Sequence, residues 1–198
     1  MVEVVVSRFR EDLGWTKDLL HQTTIYNKGN HTNYKYIRLK NIGREAHTYL
    51  HHIIKNYNEL KEWTVFCQGN PFDHCKDTLY KINNIPYNFI NMKQFGEGCY
   101  ALSDRFFTEN QKFTAKVHVY HQDVYDKFFT TPKVWFHYAN GAQYAVNIKN
   151  IKSKPKNFYK RILDSYRWLG HEPWSMERIW PEIFDIKNEG KYKFKLMM

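Results

Sequence analysis

Residues 41–74 read NIGREAHTYLHHIIKNYNELKEWTVFCQGNPFDH. Ala46, Tyr49, Leu50, Ile53, Ile54 and Tyr57 recur at the i, i+3, i+4, i+7, i+8 and i+11 positions of one helical stripe. Asn41 and Gly43 stand where that helix would begin. Trp63-Thr64-Val65-Phe66-Cys67 is an apolar run with the length of a buried strand. The segment therefore reads loop, helix, loop, strand, loop. Its polar residues gather at two chain reversals, Asn41-Gly43-Arg44-Glu45 before the helix and Gln68 to His74 after the strand. In an α/β fold those are the places where ligands bind.

Working outward, Val2-Glu3-Val4-Val5-Val6 is a β-branched run ending in Ser7-Arg8, again a buried strand. Asp12 to Leu20 predicts a short helix with Leu13, Leu19 and Leu20 on its apolar side. Thr24-Ile25-Tyr26 and Tyr36-Ile37-Arg38-Leu39 predict short strands, the first closed by the turn Asn27-Lys28-Gly29-Asn30. This alternation argues an α/β fold with a mostly parallel or mixed central sheet and helices on both faces. Residues 83–111 carry turn signals without a clear period. Trp135 to Tyr138 fits a strand or a bend, and Gln143 to Val146 a strand. Lys156 to Leu169 predicts a helix, with Pro155 at its first turn. Ser175 to Phe184 predicts a last helix interrupted at Pro181, and the lysine-rich end from Gly190 is expected to fray.

With 198 residues the chain suits one domain. The formal charge of +10 favours anionic partners, although no Lys/Arg block exceeds two residues and a lysine-rich solvated surface is the favoured account of the charge. Cys67, Cys75 and Cys99 are odd in number and lack metal-ligand spacing, so neither a disulfide framework nor a cysteine metal site is expected. A reducing compartment, a cytoplasmic location and no membrane span follow as expectations, since the first residues run directly into a strand and no apolar run is long enough to cross a bilayer.

Several groups could carry chemistry. Arg44 beside the amides of a helix N-terminus makes an anion site, or alternatively a surface pair with Glu45. Ser7, Arg8, Glu11 and Asp12 follow the first strand, at the usual crevice edge of such sheets, or else form an acidic helix cap. Asp73 and His74 offer a carboxylate and an imidazole for a divalent ion or a sugar hydroxyl. His47 and His51, four apart on a helix, lack a third ligand nearby. In Trp174-Ser175-Met176-Glu177-Arg178-Ile179-Trp180 a carboxylate lies between two indoles, which suits either sugar stacking with a general base or a helix pinned to the core.

Ser7-Arg8 with Glu11-Asp12, the turn Tyr26-Asn27-Lys28-Gly29, NIGREAHTYLHHI, VFCQGNPFDH, GAQYAV and WSMERIW together resemble an uncharacterised domain family found in fungi, algae and large DNA viruses. The resemblance spans about residues 2–184. The order of elements also resembles, more distantly, the nucleotide-sugar half of GT-A glycosyltransferases. There the first strand leads to a nucleotide-contacting loop, a later Asn-x-Gly motif opens a helix, and the next strand ends in an Asp-x-Asp loop for metal and diphosphate. Asn41-Ile42-Gly43 matches the second of these. Gln68-Gly69-Asn70-Pro71-Phe72-Asp73 takes the place of the third and departs from it, which implies either that no metal is required or that the carboxylate role moves to Asp73.

The resemblance implies a single GT-A-like, Rossmann-related domain, with residues 1–80 as the nucleotide-sugar half, 81–184 as the acceptor half and 185–198 as a basic tail. It implies transfer of a sugar from a nucleotide-diphosphate donor to a glycan or glycoprotein acceptor, with Mn or Mg as the divalent metal. Ser7, Arg8, Glu11, Asn27, Lys28, Asn41, Gly43, Arg44, Gln68 and Gly69 would contact donor or phosphate. Asp73 and His74 would hold metal, Asp73 and Glu177 would be catalytic, and Trp174, Trp180 and Gln143 would meet the acceptor. The alternatives are a basic, aromatic-rich nucleic-acid-binding module, for which no motif is present, and a carbohydrate-binding relative without turnover.

Overall fold

The computed structural model describes residues 1–110, 121–168 and 170–192. Its strands are β1 (Val2–Arg8), β2 (Gln22–Asn27), β3 (Ile37–Arg38), β4 (Trp63–Gln68), β5 (Lys93–Gln94), β6 (Cys99–Ala101), β7 (Phe106–Asn110), β8 (Trp135–Ala139) and β9 (Tyr144–Asn147). Its helices are α1 (Arg44–Asn56), α2 (Thr78–Asn83), α3 (His121–Phe128), α4 (Ile148–Lys152), α5 (Lys156–Asp164) and α6 (Glu172–Phe184). Seven strands form one mixed sheet in the order β3-β2-β1-β4-β9-β6-β5, and β7 and β8 form a separate antiparallel ribbon. The β1–β2, β2–β3 and β1–β4 pairs are parallel, while β9 runs antiparallel to both β4 and β6. The expected mixed α/β architecture is therefore present, and one sheet runs through both halves of the chain.

Both faces of this sheet are covered, which is why β1 and β4 are apolar without alternation. Val5 and Phe66 face a core built with α1, α5 and α6, including Tyr49, Leu50, Ile53, Tyr159, Ile162, Trp180 and Phe184. Val4, Val6, Val65 and Cys67 face a second core with Leu13, Ile82 and Ile85. All three cysteines are buried and free. Among the described residues no helix is long and apolar enough to cross a membrane.

Three helix expectations are corrected. The segment after β1 forms only a 3-10 turn, Gly14–Asp18. The Trp15 indole N–H donates to the Gly69 carbonyl, and Leu20 is 78% exposed, so no apolar face supports a longer helix. α5 stops at Asp164, because the Ser165 amide closes onto Arg161 and Ile162. The chain then folds back until Trp168 is buried and its carbonyl receives the Gly43 N–H; Leu169 lies outside the described residues. α6 runs unbroken through Pro181. A proline inside a helix costs about 3 kcal/mol, but Ile179, Trp180, Ile183 and Phe184 beside it are all fully buried, and each such side chain contributes about 1.5–3 kcal/mol. Of the tail expected to fray, Tyr192 bridges to Phe129, and residues 193–198 lie outside the description.

Candidate functional site

The chain leaves β1 for β2 on one side and, after α1, returns to β4 on the other, so the connections diverge at the carboxyl ends of β1 and β4. Such a reversal opens a crevice between loops leading in opposite directions. A cleft of about 220 Å³ lies there, lined by Ser7, Arg8, Glu11, Lys28, Asn41, Arg44, Glu45 and Gln68 among others. Three sequence-distant segments expected to carry the site thus meet in one place.

Much of the polar lining holds the loops rather than facing outward. The buried Arg8 guanidinium donates to the carbonyls of Phe9, Glu11 and Asn30 and to the side-chain oxygens of Asn27 and Asn30. Asn27 in turn accepts from the Gly29 amide at 3.0 Å. Lys28, also buried, donates its ammonium to the carbonyls of Ile42 (2.7 Å) and Arg44. Burial lowers its pKa to about 8, while Glu45 works in the opposite sense. Arg8 and Lys28 therefore tie the turn after β2 to the loop after β1 and to the start of α1. Ser7 spends its hydroxyl on Thr48, at 2.8 Å.

Gly43 and Arg44 both sit at positive φ, 64° and 46°. Gly43 is needed at this joint because a Cβ would stand 2.6 Å from His47 Cβ and 2.9 Å from Trp168 Cε3. Arg44, a non-glycine residue held in the left-handed region, is the kind of backbone outlier that clusters at functional positions. Its exposed guanidinium makes no hydrogen bond among the described residues and lies 5.0 Å from the Trp174 ring centroid. Arg44 is thus the uncommitted cation of the cleft.

Glu45 keeps part of its surface at the cleft while its carboxyl group is enclosed, and burial pushes its pKa up to about 7; the neighbouring Glu177 adds to that, and Arg44 and Lys28 oppose it. The fold stabilises the protonated form, so this contribution is fully present below the ordinary carboxylate range and is lost as pH rises through about 7. Glu45→Gln mimics the protonated state. Its melting temperature relative to the parent chain is expected to climb between pH 5 and pH 8; a difference that stays constant with pH would refute the assignment.

Glu177 sits on α6, where its Oε1 accepts the Gly141 N–H at 2.6 Å and its Oε2 lies 3.4 Å from Arg178 Nη1. Burial raises its pKa, against the Gly141 hydrogen bond and the Arg178 and Arg44 charges. Arg178 is gripped by Glu109 through Nε–Oε2 at 2.6 Å and Nη2–Oε1 at 3.2 Å, and Tyr138 donates to the same carboxylate at 2.5 Å. Pro181 has no N–H to offer the Glu177 carbonyl four residues back. The Glu109–Arg178–Tyr138 support was not legible in the sequence, because β7 and β8 bring it from distant positions.

The loop after β4 behaves differently from expectation. Asp73 ends a 3-10 turn, Pro71–Asp73, is exposed, and accepts from Asn70 at 2.9 Å. The His74 Nδ1 lies 3.2 Å from the Asn140 amide nitrogen and its ring packs against Gly141. Asp73 is thus a single exposed carboxylate outside the lining of the cleft. Among the described residues the three-donor cluster is instead Cys75, Asp77 and Asp104. The Lys81 ammonium already sits in it, at 3.2 Å from Asp77, 2.5 Å from Asp104 and 3.4 Å from Cys75 Sγ, and supplies the positive charge itself.

Two acceptor-side expectations are corrected. Trp180 is fully buried against Tyr49 and Phe184 and cannot stack on a ligand. Gln143 is equally buried, its amide donating to the Pro71 carbonyl at 3.2 Å, so it braces the loop from inside. Trp174, 36% exposed and facing Arg44, keeps a position at the surface.

The chain matches the family described as "Protein of unknown function (DUF3431)" over residues 4–193. It belongs to that family. The match takes in every cleft residue named above and the whole of α6, so the site lies within the domain that defines the DUF3431 family. No curated protein matches the chain.

Proposed function

We propose that this DUF3431 chain is a GT-A-like glycosyltransferase that moves a sugar from a nucleotide-diphosphate donor to a glycan or glycoprotein acceptor. The observation that carries the reading is the meeting of the β1 end, the turn after β2, the start of α1 and the β4 end around one cleft at the sheet's reversal. In this reading the donor diphosphate lies against Arg44, whose charge offsets the negative charge that builds on the leaving group. Asp73 would be the residue to hold a divalent ion, which would supply Lewis-acid stabilisation of a diphosphate.

Glu177, held by Gly141 and Arg178, removes the proton from the acceptor hydroxyl as that oxygen attacks the anomeric carbon. Its raised pKa makes it a better proton acceptor than an exposed carboxylate. Trp174, beside Arg44 and one turn from Glu177, offers its indole face to a sugar ring.

The test is a thermal-shift screen of nucleoside diphosphates and nucleotide sugars with and without Mn²⁺, followed by assay of nucleotide release. One diphosphate is expected to raise the melting temperature. Arg44→Ala should weaken that ligand about tenfold or more without lowering the melting temperature of the free protein. Unchanged affinity in folded Arg44→Ala would remove Arg44 from the donor site. No stabilisation by any nucleotide, with stabilisation by a single-stranded oligonucleotide, would favour nucleic-acid binding. Stabilisation without turnover would favour a non-catalytic relative.

A further inference from the structure

Glu11 is not placed as a simple donor contact. Its Oε2 accepts two successive backbone amides, Phe9 N–H at 2.6 Å and Arg10 N–H at 3.0 Å. Successive amides converging on one oxygen form an anion-binding concavity, and here an anionic group of the protein itself fills it. The approach is close: a Cβ on Gly69 would stand 2.5 Å from the same Oε2, so only glycine leaves room for this carboxylate.

Glu11 also stands between two cavities. It lines the cleft of about 220 Å³ and a neighbouring cavity of about 360 Å³ lined by Asp12, Trp15, Asn70 and Phe72. Ligand pockets usually measure about 300–1,000 Å³. The cleft alone is small for a nucleotide, and the neighbouring cavity supplies the missing room together with two aromatic rings, Trp15 and Phe72, at 6.0 Å.

We infer that the Phe9 and Arg10 amides are the seat of a diphosphate group, and that Glu11 occupies this seat in the free protein and must swing out for the ligand to enter. The inference rests on the donor-site reading and gives it a gate. An anion arriving from solvent competes with a tethered carboxylate for the same two N–H donors, so the gate weakens binding of every diphosphate, and a ligand must bring further contacts to displace it. Arg8 does not move with the gate: its guanidinium holds the Glu11 carbonyl, leaving the side chain to turn about a fixed backbone.

The experiment is calorimetric titration of the full chain with inorganic pyrophosphate, comparing the parent with Glu11→Gln, Glu11→Ala and Asp18→Asn. Asp18→Asn is the control, because it removes one negative charge from an exposed residue that lines neither cavity, whereas Asp12 lines the second. Glu11→Gln weakens the occupant and Glu11→Ala removes it; each is expected to tighten pyrophosphate binding about tenfold, since charge-assisted hydrogen bonds are about twice as strong as neutral ones. Asp18→Asn is expected to change it little. Should Glu11→Gln fold poorly, Glu11→Ala gives the same readout.

Parent binding with no gain in either Glu11 variant would overturn the gate and leave the donor site standing. An equal gain in Asp18→Asn would also overturn it, by showing a general effect of charge. Absence of pyrophosphate binding in the parent and in all variants would overturn both the gate and the donor reading.

Discussion

On the proposed transferase reading, Glu177→Gln is expected to lower turnover about 10²–10⁴-fold, the usual contribution of a positioned general base, with little change in donor affinity. The substitution is nearly isosteric, and a glutamine oxygen can still accept the Gly141 N–H that fixes the side chain at 2.6 Å. Arg178 stays anchored by Glu109, so the surrounding geometry should persist. What is lost is the capacity to take a proton. On the same reading the parent chain should also lose turnover on acidification at a pH above the ordinary carboxylate range, because burial raises the Glu177 pKa. Steady-state rates of both proteins across pH 5–8 check this. Turnover of Glu177→Gln within a few fold of the parent would exclude the carboxylate as the base and leave its contact with Gly141 as a structural one.

Gly29→Ala is expected to have the largest effect on stability, about 3 kcal/mol or more. A Cβ at this position would stand 1.4 Å from the Phe9 carbonyl oxygen and 2.4 Å from its carbon. Both are backbone atoms, so no side-chain rotation relieves the clash. The turn after β2 would have to lift away from the loop after β1. That movement would strain the Lys28 amide bond to the Arg8 carbonyl and the Asn27 and Arg8 contacts beside it. Urea denaturation of Gly29→Ala should show a much lower midpoint, and on the proposed donor-site reading any folded fraction should bind nucleoside diphosphate more weakly because the cleft wall has shifted. A variant as stable as the parent would mean that the two loops separate at little cost.

The parts of the fold legible in the sequence are those whose residues answer to their near neighbours. The stripe from Ala46 to Tyr57 became α1, the apolar runs became β1 and β4, and their continuous burial explains why neither strand alternates. The three segments expected at the sheet's carboxyl edge do meet at one cleft. The errors came where distant contacts outweigh local preference. Pro181 reads as an interruption, yet burial on every side carries α6 past it. Trp180, which the sequence leaves between sugar stacking and the core, and Gln143, expected at the acceptor, both face inward.

Charge was the least legible property. Arg8, Lys28 and Arg44 look alike in the sequence, but two of them are consumed by loop carbonyls and only Arg44 faces the cleft with its hydrogens uncommitted. Glu11, Glu45 and Glu177 likewise look equivalent. Tertiary structure set one on a pair of backbone amides, enclosed the second with Lys28, and joined the third to Gly141 and Arg178. The sequence by itself determined where β1, β4 and the main helix lie, since periodicity and burial are encoded over a few residues, but not β5, β6 and β7, whose stretch carries no clear period. Which side chain remains free to act was decided only by folding, since a hydrogen bond to a residue far along the chain exists only once the chain has closed around it.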